Sequence, residues 1–108
     1  GGVRLYINRG DASFEESRTI GAPGDRVFAL AVADLDGDGD EDVVVGNSRA
    51  PGAILSNDGS GHGFTLTRFS DAEGAVYGLA IGDVNRDGVA DIVAGRSDAP
   101  NTLYLGCC

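Results

Sequence analysis

Two acidic loops, DLDGDGDED at 34–42 and DVNRDGVAD at 83–91, lie 49 positions apart and carry the residues with the clearest chemistry. Both read D-x-[DN]-x-D-G-x-x-D. Oxygen-bearing side chains at positions 1, 3 and 5 converge on one point when a glycine at position 6 lets the chain turn sharply. A backbone carbonyl at 7 and an acid at 9 complete an oxygen cage suited to Ca²⁺. The first loop offers the side chains of Asp34, Asp36, Asp38 and Asp42 and the carbonyl of Asp40. The second offers Asp83, Asn85, Asp87 and Asp91 with the carbonyl of Val89. Two Ca²⁺ sites are therefore expected; the plain alternative is a pair of acidic solvent turns. Oxygen-only donors disfavour Zn²⁺ and copper. The first loop should bind more tightly, because the second replaces one carboxylate with an amide and sets Arg86 beside it.

Other candidates are weaker. His62 is the sole histidine, flanked by Gly61 and Gly63, and reads as a turn residue. With no second histidine and no Ser-His-Asp or Cys-His grouping, nucleophilic hydrolysis lacks its parts, and no catalytic residue is assigned. Arg9, Gly10 and Asp11 spell an adhesion tripeptide in an expected hairpin turn. Cys107 and Cys108 are adjacent. Their Cα atoms stand about 3.8 Å apart, below the usual disulfide window, so an internal bridge would be strained. A bridge from one of them to another chain is the functional reading, and free thiols the alternative.

The elements that position the loops are strands. An EF-hand needs Glu at position 12, where Val45 and Ala94 stand, and each loop runs on into a β-rich stretch instead of a helix. Residues 29–57 align with 78–106 without gaps at 11 identities in 29 positions, a period near 50 that points to a propeller or array. The stretch before each loop alternates large and small: Phe28, Leu30 and Val32 against Ala29, Ala31 and Ala33, then Tyr77, Leu79 and Ile81 against Gly78, Ala80 and Gly82. Alternate residues share a face, so one face fills a core and the other admits a neighbouring sheet. Four strand-like runs per period describe a four-stranded antiparallel meander, and the fold class is all-β.

The chain resembles FG-GAP/VCBS-type repeats, the blades of integrin α-subunit heads and of many secreted proteins. The resemblance rests on the two acidic loops and on Tyr77-Gly78 at the aromatic-glycine position, from which Phe28-Ala29 departs. It rests also on the stretched GAP elements at 46–51 and 95–100, and on the hairpin of residues 4–14, similar to R-L-Y-x-N-x-G-D-G-x-F. It implies calcium-binding β-propeller blades, one largely structural Ca²⁺ per loop, and an extracellular or cell-surface setting. In that frame residues 1–20 are the last two strands of a preceding blade. Residues 27–70 are a complete blade with loop 34–42, and 76–106 a partial blade with loop 83–91. Nine strands with an incomplete sheet at each end should not close on themselves, since open edges template pairing.

The net charge of −9 is concentrated. The two loops hold nine acids and one arginine, while everything else comes to −1. A chain without a basic patch excludes nucleic acid as an expected partner. No apolar run approaches a membrane span, and no signal peptide is visible. The missing initiator Met suggests a processed, excised or incompletely represented chain. The expected function is a calcium-stabilised extracellular structural or assembly protein, not an enzyme. Its partners would be further copies, in a ring or filament, or neighbouring blades of a longer chain. The alternatives are an adhesion or carbohydrate-recognition module with a protein or glycan ligand, and an accessory domain of a secreted enzyme. Tyr6, Tyr77 and Tyr104 all fall in expected strands, which argues against an aromatic sugar platform on loops.

Overall fold

The computed structural model describes residues 3–22, 24–59, 63–70 and 73–106. Among them there is no helix, and nine strands follow in chain order: β1 (Val3–Asn8), β2 (Phe14–Ile20), β3 (Val27–Ala33), β4 (Asp42–Asn47), β5 (Ala53–Asn57), β6 (Phe64–Arg68), β7 (Ala75–Gly82), β8 (Asp91–Ser97) and β9 (Thr102–Tyr104). They form antiparallel sheets of two, four and three strands, β1-β2, β3-β4-β5-β6 and β7-β8-β9. The all-β class with incomplete blades at both ends is as the sequence leads one to expect. The strand β6 ends at Arg68, and one step further Phe69 still donates its N–H to the Gly52 carbonyl at 3.1 Å.

Register assigns each side chain a face. Ala29 lies opposite Gly46 and Ala31 opposite Val44, whereas Leu30 lies opposite Val45 and Val32 opposite Val43. Residues directly opposite one another share a face. The small side chains of β3 therefore lie with Val44 and Gly46, and its large ones with Val43 and Val45. The third sheet repeats the pattern. Gly78 faces Gly95 and Ala80 faces Val93, while Leu79 pairs with Ala94 and Ile81 with Ile92.

The core follows from these faces. Val45 joins Ile20, Ala53 and Leu55 in a buried cluster, with Val3, Val27, Val43 and Phe64 packed around it. The large-residue face of β3 thus looks toward the first sheet, which covers only the outer part of the blade. Leu30 and Val32 stay 51% and 61% exposed. The small-residue face looks toward the third sheet. A Cβ at Gly46 would fall 2.5 Å from Val76 Cγ1 and 3.4 Å from Leu79 Cδ1, so only glycine admits β7 this closely. Phe28 and Tyr77 stack across the same junction, their rings 5.4 Å apart and 7° from parallel.

The outer turn of the central blade is held by charge. Asp25, nearly buried, accepts from Arg68 Nη1 at 2.7 Å, Arg68 Nη2 at 3.2 Å and Asn47 Nδ2 at 3.1 Å. Arg68 and Asn47 both also donate to the Pro51 carbonyl, at 2.8 and 3.0 Å. The β2–β3 connection, the β4–β5 turn and the end of β6 are thereby joined at one carboxylate. A two-pronged arginine contact of this kind fixes geometry as well as charge. The third sheet closes its own turn differently, with Arg96 donating to the Pro100 carbonyl at 2.8 Å.

Candidate metal centres

Each acidic loop joins the first two strands of its sheet, β3 to β4 and β7 to β8. The same four hydrogen bonds shape both. The position-1 carboxylate accepts from the position-6 glycine: Gly39 N to Asp34 Oδ2 and Gly88 N to Asp83 Oδ2, each at 2.9 Å. The position-5 carboxylate accepts from position 7: Asp40 N to Asp38 Oδ1 and Val89 N to Asp87 Oδ1, again at 2.9 Å. The position-9 carboxylate accepts from position 2: Leu35 N to Asp42 Oδ2 at 3.0 Å and Val84 N to Asp91 Oδ2 at 2.9 Å. Its other oxygen reaches out of the loop, to Asn57 N at 2.9 Å in one sheet and Gly106 N at 2.7 Å in the other.

That last pair shows a role the sequence pattern did not suggest. Asp42 and Asp91 are 1% and 0% exposed, and each ties its loop to the end of the third strand of its own sheet. Each carboxylate oxygen keeps a second lone pair after accepting one N–H, so the tie leaves the loop-facing oxygen free to bind a cation. A second unforeseen feature is position 4. Gly37 and Arg86 both adopt left-handed backbone, at φ 77° and 61°, as do the position-6 glycines at 90° and 85°. The first loop has glycine at both strained positions; the second places an arginine at one.

The structure brings Asp34, Asp36 and Asp42 together, each with a carboxylate oxygen within 4.8 Å of the others, and does the same for Asp83, Asp87 and Asp91. Asp38 stands next to the first cluster through its hydrogen bond with the Asp36 carboxyl. Asp40 and Val89 occupy the seventh positions, pinned by their N–H groups as described. Asn85 reaches the same cluster: its amide lies 3.1 Å from Asp83 Oδ1 and 3.0 Å from Asp87 Oδ1, placed to donate to both. Turned over, the same amide would offer its oxygen to a cation held by those carboxylates. The donor set is oxygen throughout, which fits a hard divalent cation and offers nothing to a soft one.

Titration follows the same geometry. The Gly39 N–H holds the Asp34 carboxyl below the ordinary value, and the Gly88 N–H does so for Asp83. Asp36 moves the other way. The hydrogen bond shared with Asp38 pushes it up, and desolvation and the negative charge of Asp42 and Asp38 push in the same direction. The first loop therefore carries electrostatic stress that a bound cation would relieve. The two loops lie side by side. Asp34 to Gly37 and Gly88 to Ala90 line a common recess of about 300 Å³.

The remaining sequence candidates find plain settings. Arg9, Gly10 and Asp11 form a closed hairpin turn. Arg9 N donates to the Ser13 carbonyl at 3.0 Å, Gly10 N to Asn8 Oδ1 at 2.8 Å, and Asp11 accepts from the Ser13 N–H and hydroxyl. Tyr6, Tyr77 and Tyr104 lie in β1, β7 and β9, and Tyr104 meets Phe69 edge to face at 5.1 Å. His62, Cys107 and Cys108 lie outside the described residues.

A family model of FG-GAP-like repeats matches residues 1–45 and again residues 34–94. The first match ends just past the first acidic loop, and the second spans both loops. No curated protein matches the chain.

Proposed function

This chain belongs to the FG-GAP-like repeat family, and on that premise we propose that it is a calcium-stabilised, extracellular structural module of a β-propeller-type assembly, without enzymatic chemistry of its own. Asp34, Asp36, Asp38 and Asp42 with the Asp40 carbonyl would hold one Ca²⁺. Asp83, Asn85, Asp87 and Asp91 with the Val89 carbonyl would hold the other. The bound ion neutralises the carboxylates that converge on it and so fixes the hairpins β3–β4 and β7–β8. Its part is structural. The open sheets at both ends join further copies or the neighbouring blades of a longer propeller.

The observation that carries this reading is the shared hydrogen-bond frame. Two loops with only four of nine residues in common fold into the same hydrogen-bonded frame, and three carboxylates draw together in each. Crowded like charges cost stability unless a cation offsets them. Extracellular modules characteristically bind Ca²⁺ at about 10⁻⁴–10⁻³ M, a range that suits two exposed loops of this kind.

Calorimetric titration of the chelated protein with Ca²⁺ tests the proposal directly. Two equivalents should bind, the first loop more tightly than the second. Asp34→Ala should remove one site and Asp83→Ala the other. No heat of binding at millimolar Ca²⁺, together with an unchanged melting curve, would sink it.

A further inference from the structure

The junction between the second and third sheets is a lock whose two halves recur, unmatched, at opposite ends of the chain. Inside the junction, β7 presents Val76, Leu79 and Ile81 to the small face of β3 and β4, where Gly46 receives Val76 and Leu79. Val44 on that face is fully buried. Forty-nine residues on, the same small face recurs on β7 and β8 as Gly78, Ala80, Val93 and Gly95, and nothing covers it among the described residues. Val93, the counterpart of Val44, is 39% exposed. A Cβ at Gly95 would meet only the Gly78 carbonyl, at 3.9 Å. The large-residue half recurs as well: Val27, Leu30 and Val32 on β3 are the counterparts of Val76, Leu79 and Ile81, and Leu30 and Val32 are exposed.

We propose that these two faces bind each other between copies of this chain, the β3 face of one protomer seating on the β7–β8 face of the next. The proposal deepens the assembly reading above and rests on it, naming the partner as a second copy and the contact as a repeat of the internal one. A second copy is the occupant because this chain itself carries the matching face, in the same register and with the same residue types. A hole face meeting a large-residue face is a head-to-tail contact, so the assembly grows into a ring or an open filament and does not stop at a symmetric dimer.

Seating β7 and β8 in this way also brings β1 of the incoming copy to the third-strand position of the joined blade. Leu5 and Tyr6 of β1 repeat the Leu103 and Tyr104 of β9. β9 pairs with β8 at only three positions, against six between β1 and β2. β1 arrives already paired with β2, so when it takes the slot of β9 the joined sheet gains a fourth strand like β3–β6, which β9 alone does not supply.

Light scattering in millimolar Ca²⁺ tests this with two surface variants. Gly95→Val fills the hole and Leu30→Glu charges the opposite face, and both side chains have room in the single chain. Wild type should exceed the 11.0 kDa of one chain, and each variant alone should run as a monomer. Mixed one to one, each still offers the face the other lacks, so the mixture should give a pair of about twice 11.0 kDa and nothing larger. A monomeric wild type, or a Gly95→Val protein as large as wild type, overturns the proposal, and so does a mixture that stays monomeric. Calcium titration of the same samples separates the two readings, because neither substitution touches a loop. Two bound Ca²⁺ on a monomeric wild type would leave the calcium module standing while removing the docking.

Discussion

At position 9 of each loop a buried aspartate joins the acidic loop to a strand end, whereas position 3 of the first loop is an exposed carboxylate under repulsion. The two should respond oppositely to loss of charge. Asp42→Asn weakens the contacts to Leu35 N and Asn57 N and sets an amide N–H₂ against one of them. Losing charge-assisted bonds at a buried site costs about 1.5–3 kcal/mol, and that loss should appear in urea unfolding even with chelator present. Asp36→Asn should stabilise the chelated protein at neutral pH and weaken Ca²⁺ binding to the first loop. The pH dependence has a definite sign. Asp36 is raised from 3.8, so in the chelated protein its favourable contribution is full below that value and is lost as pH rises through the folded one. Asp34 and Asp83 are lowered, so their contribution is present above 3.8 and is lost as pH falls through their folded values. Melting temperature against pH, wild type beside Asp36→Asn, should show the first loss abolished and the second retained, because the Gly39 and Gly88 N–H groups still hold Asp34 and Asp83 down. Position 4 gives a further residue-scale test. Left-handed backbone costs a non-glycine residue roughly 1–2 kcal/mol, and glycine returns about 0.5–1 kcal/mol through the unfolded chain. Arg86→Gly should therefore raise stability by up to about 1 kcal/mol. It should also tighten Ca²⁺ at the second loop by removing a positive charge.

Among the elements, the strands and their faces were legible because a period of two and a period of 49 coincide. Alternation of large and small residues in β3 and β7 assigned the faces, and the repeat placed the loops between equivalent strands. Which face meets which sheet was not legible, since both directions satisfy the alternation. The contact of Val76 with Gly46 decides it. Nor could sequence reveal the Asp25, Asn47 and Arg68 cluster. Asp25 and Arg68 are 43 positions apart, and at the repeat spacing Gly74 and Arg96 replace Asp25 and Asn47, so no motif or copy marks them. That carboxylates of each loop draw together was readable from spacing. The outward reach of Asp42 and Asp91 was not, because it depends on where the third strand ends. The paired glycines turn this into a measurable contrast. Gly46→Val forces side chain against side chain at a packed junction, and overpacking of this kind costs about 1–3 kcal/mol. Gly95→Val, at the equivalent strand position in open surroundings, should change monomer stability by no more than about 0.5 kcal/mol. Equal losses in thermal or urea unfolding would mean that the sheets do not meet as described.

Over the whole molecule, fold and charge are coupled through the loops. Nine acids in two short segments account for nearly all of the −9, and those segments line one recess at the same end of adjacent sheets. Without Ca²⁺ the repulsion acts within each loop and between the two, so it strains the β3–β4 and β7–β8 hairpins together. With Ca²⁺ at 100 times its dissociation constant, each site adds about 2.7 kcal/mol, provided the unfolded chain does not bind. For a domain of this size each kcal/mol moves the melting temperature by roughly 4–8 °C. A two-site rise on the order of 20–40 °C between chelator and saturating Ca²⁺ is thus the upper expectation. Simple screening gives a contrasting route to part of the same effect. Raising NaCl from 0.01 to 1 M shortens the Debye length from about 30 to about 3 Å, which mutes repulsion between the exposed loop carboxylates but supplies no ligand to converge on. In chelator, melting temperature should therefore climb with NaCl and level off well below the calcium value, while in saturating Ca²⁺ added salt should do little. If salt alone restored the full stability, the loops would be acidic turns under repulsion and not cages. A gap that salt cannot close is the signature of an ion held by the converging oxygens.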